Sequence, residues 1–200
     1  MLDVLFVAEL AWCSIFIAVQ GIQRALLYSG GIIASGYAAS QFSGWITRIF
    51  VPQTSETFLW LQAHVTTSVQ GVSVLSRFIP AEPVASGMAQ ATWITMHIVK
   101  SLFFIGITAS IFLLFLVVSH LSIALYDRPQ PAKRKGETLF WTPLLALTTG
   151  LYATVLTGVL VGNLAWFQDF TGLAWPVSHS LAMAWMGRLM SFTQGHFTRP

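Results

Sequence analysis

The residues best able to do chemistry in this chain are few and far apart. It holds five histidines, His64, His97, His120, His179 and His196. A membrane haem needs two imidazoles on facing helices at one depth. His64, His97, His120 and His179 are the candidates for that role. His97 and His120 fall on one continuous apolar pattern, which as a helix holds them about 35 Å apart. They therefore cannot ligate one haem, and His64 or His179 would have to face His97. Neither H-x-x-x-H nor H-E-x-x-H occurs, so zinc-ligand spacing is missing as well. The expectation is that no haem, metal or other cofactor is bound. Glu9 is the one acidic residue expected inside an apolar span. A carboxylate in lipid is costly and calls for a partner. With a cytoplasmic N-terminus, His120 would lie at the same depth and could form an intramembrane polar pair with Glu9.

Two further groups are weaker. Gly31-Ile32-Ile33-Ala34-Ser35-Gly36 invites comparison with intramembrane serine proteases. Those enzymes use about six spans and a histidine on a defined helix, and this chain has no counterpart, so Ser35 reads as helix packing. The single cysteine, Cys13, excludes an intrachain disulfide. Trp12 before it is too bulky for a lipoprotein cleavage site, and Met1-Leu2-Asp3 lacks a basic start, so the first apolar segment reads as a retained anchor.

The elements that must carry these residues are apolar. Only 8% of the 200 residues are charged, against about 25% in a soluble domain. So few ionic groups cannot cover a water-facing surface. The net charge of +3 comes from scattered residues and makes no stripe for nucleic acid. Residues 101–126 carry no charge and suit one bilayer crossing, with Trp93 and Tyr126 as interfacial anchors. Residues 143–167 form a second span, with Thr142 as cap and Pro143 in the first turn. Arg128, Lys133, Arg134 and Lys135 crowd the loop 127–138 between them. The positive-inside rule puts that loop in the cytoplasm.

Four regions follow. Residues 1–47 are an anchor region of one or two spans. Residues 48–100 are extracytoplasmic, with an amphipathic helix at 56–79, where Phe58, Leu61, Val65, Val69, Val72, Leu75 and Ile79 recur at three- and four-residue steps. Residues 101–167 are a two-span hairpin, and 168–200 an interfacial or re-entrant tail. The fold class is an all-α integral membrane protein with three to four transmembrane helices plus that outer helix.

Small residues form two stripes, Gly150, Thr154, Gly158 and Gly162 on one helix and Gly36, Ser40 and Gly44 on another. Such spacing lets helix backbones approach closely in lipid. An assembly partner is the favoured occupant of the first stripe, ahead of the chain's own helices.

The order of anchor, outer segment, span, short basic loop and span resembles in layout the small membrane proteins encoded in conjugative elements. Their Val-Asp-Gly motif after the middle span is replaced here by Leu125-Tyr126-Asp127, so the resemblance covers layout only. The expected function is a non-enzymatic structural or assembly subunit of a multi-protein membrane complex of the secretion, conjugation or energy-converting kind. Its partners would be other membrane subunits and the bilayer, not nucleic acid. The alternatives are a haem- or pigment-binding electron-transfer subunit and a small transporter subunit that would route polar cargo past Glu9, His120 and Asn163.

Overall fold

The computed structural model describes residues 1–65, 74, 77–79, 89–126 and 140–197. Among the described residues the chain is helical throughout, with one isolated antiparallel bridge between Val65 and Phe167. The helices are α1 (Leu2–Ala18), α2 (Ile22–Phe50), α3 (Glu56–His64), α4 (Gln90–Tyr126), α5 (Trp141–Leu164), α6 (Ala174–Ser178) and α7 (Leu181–Phe197). A 3-10 segment, Gln168–Leu173, precedes α6. The basic loop 127–138 and much of 66–88 lie outside the described residues.

Each element has a local cause. Gly21 breaks the chain between α1 and α2 with φ 82, a conformation that only glycine adopts freely. Ser55 caps α3 by accepting from the Phe58 N–H, with Glu56 in the first turn. That helix stops at His64, not at 79 as the apolar periodicity suggests. Val65 is extended and bridges Phe167. It opens the β-branched run Val65-Thr66-Thr67, which disfavours helix. Positions 69, 72 and 75 of the expected face lie outside the described residues.

Helix α4 starts well before residue 101 and runs 37 residues, about 55 Å, so Trp93 and Lys100 belong to it. Helix α5 starts at Trp141 with no side-chain cap. Thr142 is buried in its first turn instead of capping it.

Helix α5 is the hub of the bundle. It packs antiparallel to α1, as Gly150 abuts Leu10 and Ser14 while Thr157 meets Glu9. It also packs on α2, where Gly36 meets the Tyr152 hydroxyl. Helix α2 lies antiparallel to α4, with Gly31 against Phe115 and Gly44 against Lys100. One end of the bundle carries the Gly21 turn, the end of α4 and the start of α5. The other carries the start of α1, α3, α6 and the start of α7. The N-terminus therefore sits at the opposite end from the connection between α4 and α5. Two helices, α4 over Gln90–Leu121 and α5 over Trp141–Leu164, are long and apolar enough to cross a membrane.

The start of α1 is fastened to the start of α7. Asp3 Oδ1 accepts from the Ser180 hydroxyl at 2.7 Å and from the Ala182 N–H at 2.8 Å. The same Ser180 hydroxyl accepts from the Met183 N–H at 3.1 Å, so a side-chain cap and a carboxylate together serve the free N–H groups of α7. Asp3→Asn keeps an acceptor oxygen but loses the charge, and is expected to cost about 1 kcal/mol because two charge-assisted bonds become neutral ones. Thermal midpoints of parent and variant check it, and an unchanged midpoint would remove the clasp from the account.

Candidate functional site

Polar groups in the bundle line up along α5. Thr149 donates to Ser29 of α2 at 2.6 Å, and Ser29 in turn donates to the Leu145 carbonyl at 3.3 Å. Further along, Thr157 donates to Glu9 Oε1 of α1 at 2.6 Å. Near the end of α5, Asn163 is 1% exposed and Trp166 is 2% exposed. Among the described residues, neither amide atom of Asn163 nor the indole N–H of Trp166 has a hydrogen-bond partner. Ser14 Oγ of α1 is likewise buried without one.

This arrangement replaces the expected Glu9–His120 pair. Because α1 starts at the end away from the α4–α5 connection, Glu9 and His120 lie at different depths, and the structure does not bring them together. Glu9 takes Thr157. His120 places Nδ1 2.9 Å from the Leu116 carbonyl and stacks loosely on Tyr28, ring centres 6.4 Å apart. The polar residues of the transporter reading, Glu9, His120 and Asn163, are strung along the bundle axis and do not share one level.

The first small-residue stripe is filled by the chain itself. Gly150, Thr154, Gly158 and Gly162 are all buried. Gly150 meets α1, Gly158 meets the Met186 sulfur of α7, and Gly162 meets Phe78 and Met183. Thr154 bonds the Gly150 carbonyl of its own helix at 2.9 Å and no neighbour. An assembly partner is thus not the occupant, because α1 and α7 already take the groove. The second stripe is not one face. Gly36 is buried against α5, Ser40 is exposed and bonds the Tyr37 carbonyl, and Gly44 faces Lys100 of α4. The buried seam of α2 runs instead through Ala25, Ser29, Ile32, Ser35, Ala39, Ser43 and Thr47. Ser35 sits within it, donating to the Gly31 carbonyl at 2.6 Å.

Three of the histidines share a construction. His64, His97 and His179 each follow a tryptophan by four residues, at Trp60, Trp93 and Trp175. Each Nδ1 lies 2.8–3.0 Å from that tryptophan's carbonyl oxygen. Each ring lies on the indole, with centres 4.2, 4.2 and 4.7 Å apart. A carbonyl only accepts, so Nδ1 carries a proton, and in the neutral ring Nε2 is the atom with the lone pair. The W-x-x-x-H spacing was open to inspection in the sequence, where the search for paired histidines passes over it. Among the described residues, no three His, Cys, Asp or Glu side chains group as metal ligands.

A cavity of about 350 Å³ opens near the Gly21 end, where Cys13, Gln20, Arg24, Tyr28, His120 and Thr149 meet an apolar floor. Arg24 is held there by Gln20 Oε1 at 2.9 Å. No protein-family model, curated protein or solved structure matches the chain.

Proposed function

We propose that this chain is a multi-pass, non-enzymatic subunit of a membrane protein complex, with α1, α2, α4 and α5 in the bilayer. The reading rests on α4. In its most apolar 18 residues only 6% are buried within the chain. Leu113, Leu114, Val117, Val118 and Leu121 stand exposed in a row along it. A core helix of a soluble protein hides such residues, and this one presents them outward. The same holds for Val4, Val7, Trp12 and Ile15 on α1. A polar role for the bundle interior is served by hydrogen bonds between its own helices, which suits a scaffold.

The basic loop 127–138 and the Gly21 turn then face the cytoplasm, and α3, α6 and the N-terminus face outward. In a background lacking Cys13, a cysteine at position 134 is expected to react with an impermeant thiol reagent only after the cells are opened. A cysteine at position 57 should react in intact cells. The reverse pattern overturns the orientation, and release of the chain by alkaline carbonate overturns membrane integration. For the subunit role, in-cell cross-linking from the exposed face of α4 should yield a discrete heteromeric product. Cross-links to lipid alone would remove the case for a partner.

A haem- or pigment-carrying subunit is the second reading. What favours it is the set of imidazoles tilted against tryptophans with Nδ1 on a carbonyl, since a ring fixed through Nδ1 to a carbonyl is how ligating histidines are oriented. A Soret band that survives purification and is lost in His97→Ala would decide for it.

A further inference from the structure

Helices α2 and α4 enclose two adjoining spaces that the bundle does not fill. The first, of about 500 Å³, is lined by Gly44, Thr47, Arg48, Gln53, Met96 and Lys100, among others. The second, of about 610 Å³, is an apolar groove bounded by Ile46 and Phe50 of α2, Leu61 of α3, and α4 from Val99 to Ile111. Val51 lines both.

Two cations meet in the first space with nothing to balance them. Neither Arg48 nor Lys100 has a hydrogen-bond or ion-pair partner among the described residues, and no carboxylate lines either space. The other titratable group nearby is His97, one turn before Lys100. The polar neighbours are partly engaged, with Thr47 donating to the Ser43 carbonyl and Gln53 to the Met96 sulfur. Lys100 lies over Gly44, with the ammonium 4.0 Å from where a Cβ would stand. Both side chains are exposed, and two like charges lining one space beside an apolar groove make a favourable place for an anion.

The depth of this pair is telling. Lys100 is the last charge before the charge-free residues 101–126, so it marks the level where hydrocarbon gives way to headgroups. From Lys100, Phe103, Ile107 and Ile111 follow on the same stripe of α4 at three- and four-residue steps. From Val99 to Ile111 that stripe is about 18 Å long, on the scale of one leaflet's hydrocarbon, about half of a 30 Å core.

We propose that this cleft binds an anionic membrane phospholipid. Its phosphate lies between Arg48 and Lys100, and an acyl chain runs down the groove over Phe103, Gly106, Ile107 and Ile111. The site rests on the membrane reading above, because the groove leads from the headgroup level toward the bilayer centre. Charge complementarity selects the anionic headgroup, and the apolar groove distinguishes a lipid from a free phosphate.

Gly106 gives a clean handle. A Cβ added there meets nothing within 4 Å, so Gly106→Leu fills the groove without disturbing the chain. The protein is first tested for retention in carbonate-washed membranes. It is then extracted in mild detergent, exposed to mixed vesicles of phosphatidylcholine and phosphatidylglycerol, and its bound lipid measured by native mass spectrometry. The parent should retain phosphatidylglycerol over phosphatidylcholine. Arg48→Gln and Lys100→Gln should each weaken that retention roughly fivefold. Arg48→Lys and Lys100→Arg should keep most of it, and Gly106→Leu should weaken it with both cations in place. Release by carbonate would overturn the membrane reading and the site with it. Firm membrane retention with equal binding of the two lipids, or an unaffected double Gln variant, would overturn the site alone. Displacement of the lipid by glycerol phosphate, or no effect of Gly106→Leu, would leave a bare phosphate site and overturn the lipid assignment.

Discussion

Gly150→Ile is expected to lower the stability of the bundle by about 3 kcal/mol, the upper part of the range for overpacking a filled interior. A Cβ at this position would lie 3.2 Å from the Leu10 carbonyl oxygen and 2.6 Å from Ser14 Oγ. The Leu10 oxygen is backbone, so α1 as a whole must move outward to admit a branched side chain. That movement stretches the Thr157–Glu9 bond about two turns further along α5. Gly158→Ile should cost less, because its neighbour is the Met186 thioether, a flexible side chain that can swing aside. Unfolding of the parent and both variants in the same detergent measures the order. Equal and negligible effects would mean that α1 and α7 do not occupy the groove. Loss of co-purifying partners with unchanged stability would return the stripe to the role of an assembly surface.

Asn163→Leu is expected to act in the opposite direction. The asparagine amide can make up to four hydrogen bonds, and at 1% exposure it makes none. A buried amide left unsatisfied costs about 1–3 kcal/mol; leucine, branched at the same carbon, removes that cost, and its larger bulk offsets part of the gain. The variant should therefore be stabilised by about 1 kcal/mol, seen as a rise in thermal midpoint of about 2–4 °C for a chain of this size. Trp166→Phe, which deletes the unpaired indole N–H three residues on, should gain less, because it also leaves a void where the larger ring stood. Destabilisation by Asn163→Leu would show that the amide is satisfied in the working protein, by water or by a bound molecule. A polar group kept at such cost belongs to function more often than to architecture.

The sequence made some of this arrangement legible. The two longest apolar runs fall within α4 and α5; the second agrees within a few residues, while α4 begins eleven residues before the charge-free run at 101. The four-residue spacing of Gly150, Thr154, Gly158 and Gly162 correctly marks a face where something comes close. It does not say what, because spacing along one helix carries no information about its neighbour. Glu9 found Thr157 and not His120 for the same reason. The partner is set by which end of the bundle α1 starts from, and that depends on packing among residues 148 apart. The periodicity over 56–79 overran the true helix because apolar steps of three and four persist in the letters after Val65 has turned extended. Lys100 could have been noticed as the charge at the margin of a charge-free run. Its proximity to Arg48 could not, since it requires α2 and α4 to lie antiparallel with Gly44 at their crossing.

The clasp between Asp3 and Ser180 also sets a timetable for synthesis. Its partners are 177 residues apart, so it closes only after all the helices between them have been made. Until α5 is delivered, α1 waits with the carboxylate of Glu9 and the hydroxyl of Ser14 lacking their eventual surroundings. Helix α1 is thus made well before it is secured.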